Sequence, residues 1–182
     1  MYVRPAQDED ADAMAHVIVD TFLLAHMDQL PEEAMRRRKE EWTYDVSANA
    51  WLRTLREIAD AENPLDCVFV ACDEAGEVIG LAMGTPAEGF DRTGEVCVLY
   101  VRPEWQRRGV GRRLVQSVAQ WLRERGFIAL HIATLPANAP ARKFYEAIGG
   151  VVIGQRELDE YGYKVVNVVY SWPDIRVLTP SA

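Results

Sequence analysis

The residues whose types and spacing could do chemistry stand together at Gln106-Arg107-Arg108-Gly109-Val110-Gly111. An apolar run ends just before them at Pro103, and an apolar-periodic run begins within them at Val110. A strand that enters a helix through such a turn makes an anion site. The first turn of a helix leaves backbone N–H groups without intrahelical acceptors, and the aligned peptide dipoles add partial positive charge there. Gly109 and Gly111 carry no side chain, so a ligand oxygen can come close to the backbone. Arg107, Arg108, Arg112 and Arg113 add positive charge inside an acidic chain. A diphosphate suits such a place. A strand-to-helix turn that merely needs glycine, with solvated arginines around it, fits the same residues, and both readings stand at this point.

Two common phosphate motifs are excluded. The pattern G-x-x-x-x-G-K-[ST] is absent. The dinucleotide pattern G-x-G-x-x-G, started at Gly109, needs glycine where Leu114 stands.

A turn of this kind needs a strand in front and a helix behind, and both are legible. Glu95 to Val101 reads as a strand closed by Pro103, which cannot donate to a ladder. Val110 to Arg125 reads as the clearest helix: Val110, Leu114, Val115, Val118 and Leu122 share a face, and Gly126 ends it. Ahead of these, Tyr2 to Pro5 is a short strand, and acidic Asp8 to Asp12 opens a helix with apolar Met14, Val17, Ile18, Phe22 and Ala25. A second helical region starts at Pro31-Glu32-Glu33 and runs to about Ala61, with a break near Tyr44-Asp45-Val46-Ser47. Its Arg36-Arg37-Arg38-Lys39 run, flanked by glutamates, reads as a solvated face. Cys67 to Cys72 and Glu77 to Met83 are strands around the turn Asp73-Glu74-Ala75-Gly76. Phe127 to Thr134 is a strand, Asn138 to Ile148 a helix, and Val151 to Glu157 with Tyr163 to Trp172 a closing hairpin. Strands and helices interleave, so the class is α/β, with about seven strands and about four helices in one domain, 1–182.

The totals bound the function. Apolar residues make up 49% and charged residues 26%, as in an ordinary globular domain. A net charge of −8 argues against nucleic acid, which needs a basic footprint, and is compatible with a cationic substrate. No stretch approaches a membrane span, and the N-terminus has no apolar signal region. Three cysteines without paired spacing point to reduced thiols, and Cys67 and Cys72 are expected on opposite faces of one strand. The histidines His16, His26 and His131 form no metal-ligand spacing with them. A cytoplasmic protein without metal is the expectation.

Gln106-Arg107-Arg108-Gly109-Val110-Gly111 resembles the Q/R-x-x-G-x-G/A signature of the GCN5-related N-acetyltransferases. Leu99-Tyr100-Val101-Arg102-Pro103 is similar to that family's fourth strand and its exit, and Asn138 and Tyr145 are similar to its second motif. The order of elements agrees over nearly the whole chain. The resemblance implies a central mixed, mostly antiparallel sheet with splayed fourth and fifth strands, and acetyl-CoA as co-substrate. It implies that backbone groups of Leu99 and Val101 hold the pantetheine arm and polarise the thioester, a sound source of rate. Backbone N–H groups across Gln106, Arg107, Arg108, Gly109, Val110, Gly111 and Arg112 would hold the pyrophosphate, at about 1.5–3 kcal/mol for each charge-assisted bond. Asn138 would contact the cofactor, though asparagine also suits a helix N-cap. Tyr145 would protonate the departing thiolate, though it also lies on an apolar helical face. Glu95 is the candidate general base, expected on the face of Cys97, Leu99 and Val101. Cys97 reads as packing, because the family transfers the acyl group directly.

The implied reaction is transfer of an acetyl group to a primary amine in a ternary complex. The acceptor would be a small molecule, with a cationic amine suited to Asp28, Trp42, Asp159, Glu160 and Tyr161. A protein or peptide N-acetyltransferase and a non-catalytic acyl-CoA-binding module are the alternatives. Many members of the family are homodimers, so a homodimer is admitted.

Overall fold

The computed structural model describes residues 1–26, 30–160 and 162–179. Seven strands form one sheet: β1 (Tyr2–Pro5), β2 (Cys67–Cys72), β3 (Val78–Pro86), β4 (Thr93–Val101), β5 (Ala129–Thr134), β6 (Val151–Glu160) and β7 (Tyr163–Trp172). Their order is β1-β2-β3-β4-β5-β7-β6. Every neighbouring pair is antiparallel except β4 and β5, which run parallel. Five helices accompany them: α1 (Ala11–His26), α2 (Glu32–Glu41), α3 (Tyr44–Asp60), α4 (Val110–Glu124) and α5 (Ala139–Ala147). The helix count exceeds the expected four because the region after Pro31 is two helices. The break falls at Trp42-Thr43, and Thr43 Oγ1 accepts from the Val46 amide at 3.3 Å to start α3.

The apolar stripe of α4 explains one half of the core. Val110, Leu114, Val115, Val118, Ala119 and Leu122 are all buried, together with Cys67, Ile79, Val96, Ile132, Tyr145 and Trp172. The helix lies close on the sheet because Gly84 and Gly94 present no Cβ to Val118 and Leu122. The other face packs α1 and α3 against β2 and β3, through Met14, Val17, Trp51, Val70 and Leu81. Cys67 and Cys72 fall into the two opposite cores, as their spacing requires, and both are free thiols. Among the described residues no helix is long and apolar enough to cross a membrane.

The solvated reading of the arginine run holds for two of its members. Arg36 pairs with Glu33 and Glu40, and Arg37 with Glu41, all exposed. Arg38 instead turns inward, its guanidinium 3.4 Å from the centre of the Trp42 ring and 4.3 Å from that of Phe22.

Candidate functional site

β4 and β5 are paired over four positions only: Thr93–Ala129, Gly94–Leu130, Glu95–His131 and Val96–Ile132. Beyond Val96 the strands part. β4 stays on β3 as far as Val101, whereas β5 stays on β7 as far as Thr134. The burial of β4 follows this split: Thr93 to Val96 are buried, Cys97 is exposed, and Val98 to Tyr100 are half-buried. A gap opens in the middle of the sheet.

The hydrogen bonding of β4 decides which groups face that gap. The Arg102 amide bonds the Ile79 carbonyl at 2.9 Å. Arg102 therefore points its backbone at β3, and so, by alternation, do Tyr100 and Val98. The N–H and C=O of Leu99 and Val101 point the other way, where β5 has left. One of these groups is already taken: the side-chain amide of Gln106 donates to the Val101 carbonyl at 3.0 Å. Gln106 thereby pins the loop after β4 to the end of the strand.

The loop itself carries two left-handed residues, Arg107 at φ 60° and Gly109 at φ 83°. Gly109 is the N-cap of α4, and a Cβ there would meet open space. Arg113 is the first residue whose amide closes a helical turn, to the Gly109 carbonyl at 3.1 Å. The amides of Val110, Gly111 and Arg112 precede it and have no helical acceptor. Gly111 backs onto Phe144 of α5. Arg108 lies over the Trp105 ring at 5.2 Å, and the Arg113 guanidinium donates to the Met1 carbonyl at 3.5 Å.

Asn138 is the N-cap of α5: its Oδ1 accepts from the Ala141 amide at 3.2 Å. That bond uses its carbonyl oxygen and leaves the side-chain NH2 as a donor. Tyr145 is buried among Phe144, Tyr170 and Trp172. Burial, with the nearby Tyr100 and Tyr170 phenols, pushes its own phenol well above the ordinary tyrosine value. It therefore keeps its proton.

The face of Glu95 differs from the one strict alternation predicts. The ladder pairs Met83 with Val98 and Gly84 with Val96, so Cys97 is skipped. This bulge resets the phase of the strand. Val96 lies in the α4 core together with Leu99 and Val101, whereas Val98 and Tyr100 pack on the other face. Glu95, next to Val96, is thus opposite to Leu99 and Val101. It shares its face with His131, its register partner, and with Arg156 of β6. Arg156 grips both carboxylate oxygens, at 2.9 and 2.5 Å. Sequence reasoning passed over both partners. The signal for His131 was a lone polar residue inside the apolar run of β5; Arg156 lies 61 residues away from Glu95 and gave none.

Cys97 reaches solvent at the bulge, yet the chain around it excludes enough water to push its thiol up to about 11. A neutral thiol is a poor nucleophile. The expected acceptor residues divide. The Trp42 ring already carries the Arg38 guanidinium on one face. Asp159 Oδ1 accepts from the Gly162 amide at 2.8 Å and shapes the turn between β6 and β7. Asp28, Tyr161 and the Glu160 side chain lie outside the described residues. Among the described residues, no group of three or more His, Cys, Asp and Glu side chains could hold a metal ion.

Comparison with known proteins agrees with this geometry. The model of the Acetyltransferase (GNAT) family matches residues 24–150. The uncharacterised N-acetyltransferase YuaI of Bacillus subtilis is 29% identical over 97% of this chain and 95% of its own length. An aminoglycoside N(6')-acetyltransferase type 1 of Stenotrophomonas maltophilia is 35% identical over 52% of this chain and 63% of its own. The structure of yncA from Salmonella typhimurium with its cofactor acetyl-CoA superposes with a TM-score of 0.69. It is 21% identical and covers 100% of this chain and 96% of that one.

Proposed function

The chain belongs to the acetyltransferase (GNAT) family and is an acetyl-CoA-dependent N-acetyltransferase; from that premise we propose that its acceptor is the primary amine of a small molecule. The amine attacks the thioester directly, in a ternary complex. The observation that supports the donor side of this reading is the gap between β4 and β5, into which Leu99 and Val101 turn their backbone groups.

The roles follow from the groups available. The pantetheine arm lies in the gap against the Leu99 backbone and the Val101 amide. The amides from Arg107 to Arg112 take the pyrophosphate, and the arginine side chains supply counter-charge. The free NH2 of Asn138 donates to the cofactor. Tyr145, buried and protonated, gives its proton to the departing thiolate. Glu95 supplies the carboxylate of the acceptor face, with its two oxygens committed to Arg156. The small-molecule acceptor is supported by likeness to the protein named an aminoglycoside acetyltransferase.

The test is thiol release from acetyl-CoA by the purified chain across a panel of small primary amines. Release that depends on one of the amines is expected. Absence of CoA binding by calorimetry would overturn the reading.

A further inference from the structure

A lysine-like amine has a pKa near 10.4 and arrives charged at neutral pH. A group on the acceptor face has to take its proton before it can attack. Glu95 lies on this face, but both of its oxygens already accept from Arg156, and its side chain is only 11% exposed.

Beside it stands a better-suited group. His131 is the register partner of Glu95 in the last pair but one before the strands part. Its own strand neighbours Leu130 and Ile132 are in the α4 core, so its ring lies on the opposite, acceptor face with Glu95. It is 7% exposed, and the Phe90 ring meets it edge-on at 4.8 Å. Ser171 of β7 flanks it on the other side. Among the described residues, the charged groups that act on it are Glu95 and Arg156.

Resting on the acetyltransferase reading, we propose that His131 is the proton acceptor for the attacking amine, with the Glu95–Arg156 pair positioned beside it. The ammonium gives one proton to the imidazole, directly or through one water. The freed nitrogen lone pair forms the N–C bond, the C–S bond breaks, and the thiolate leaves. The second amine proton balances the one the thiolate takes up, and the imidazolium returns its proton to solvent. Burial favours the neutral ring, as does Arg156, against the pull of Glu95. The base is thus in its accepting form at neutral pH.

The proposal predicts a kcat/KM profile of the wild-type enzyme whose acid limb lies below the ordinary histidine range. His131→Gln lowers kcat/KM at neutral pH by about 10²-fold or more, leaves CoA affinity unchanged, and shifts the rise of activity toward the ionisation of the amine itself. Glu95→Gln keeps the limb and moves it further acid, because it removes the charge that holds the His131 proton. If His131→Gln folds poorly, the histidine ring titration followed by NMR in wild type and Glu95→Gln decides the matter without it. A His131 ring that is cationic at neutral pH overturns the proposal. So does wild-type activity and an unmoved limb in His131→Gln, or loss of the limb in Glu95→Gln, which would assign the base to Glu95. Failure of the wild-type chain to bind CoA would instead sink the acetyltransferase reading.

Discussion

The side-chain amide of Gln106 donates to the carbonyl of Val101 at 3.0 Å, tying the loop that enters α4 to the strand that borders the gap. One bond thus couples the two halves of the proposed cofactor seat. Gln106→Leu should weaken CoA binding by about fivefold, since a neutral hydrogen bond contributes about 1 kcal/mol. Calorimetric Kd is the measurement, with Tm as the control. Unchanged affinity would remove Gln106 from the seat.

Gly109 has to adopt φ 83°, and a Cβ there would enter open space at the start of α4. Gly109→Ala should cost about 1–2 kcal/mol of stability from the left-handed backbone alone. Its effect on CoA affinity should be larger than that of a surface substitution, because in the proposed binding mode the new methyl group would stand where the phosphates approach. Arg107 is the converse case, a non-glycine at φ 60°. Arg107→Gly should leave chemical stability unchanged or raised, while CoA affinity falls with the lost charge. Denaturant midpoints and CoA titration separate the two effects.

Tyr145→Phe should lower kcat by about 10²-fold with CoA affinity unchanged, the signature of a lost proton donor. The pH dependence follows from the direction of its shift. A general acid works while protonated, and burial raises the Tyr145 phenol above the ordinary value. Its ionisation should therefore cause no alkaline fall in rate up to and beyond pH of about 10. A kcat that falls well below that pH through a tyrosine ionisation would contradict the role.

Asp10 is buried at the start of α1 and takes both guanidinium nitrogens of Arg4, at 2.6 and 2.8 Å. Burial alone would raise its pKa, but the Arg4 bond, the Gln7 amide and the Arg4 charge together lower it. A depressed carboxylate stabilises the fold above its unfolded pKa of about 4 and loses that contribution as pH falls through the folded value. Asp10→Asn should therefore cost about 1.5–3 kcal/mol at neutral pH and less in strong acid. Urea denaturation at two pH values checks the sign.

The strand–turn–helix around Gly109 and the seven strands were legible because local periodicity and glycine placement carry them. The turn expected to seat the cofactor is readable for the same reason: its residues are contiguous in the chain. The acceptor face was not. The phase of Glu95 depends on how β4 registers against β3, and the skipped Cys97 leaves no mark in a one-dimensional pattern. The engagement of Glu95 by Arg156 joins two strands across the whole breadth of β5 and β7. Arg38 over Trp42 was closer to reach, being four residues away on the end of one helix. The flanking glutamates give the run the pattern of a solvated face.

The skipped residue at Cys97 lets a single strand serve two clients that keep independent settings. Ahead of it, Glu95 answers to β5 and β6; behind it, Leu99 and Val101 answer to the loop and to α4. Side-chain variation at the front leaves the backbone groups at the back undisturbed. A chain built this way can change what it modifies without relearning how to hold its donor.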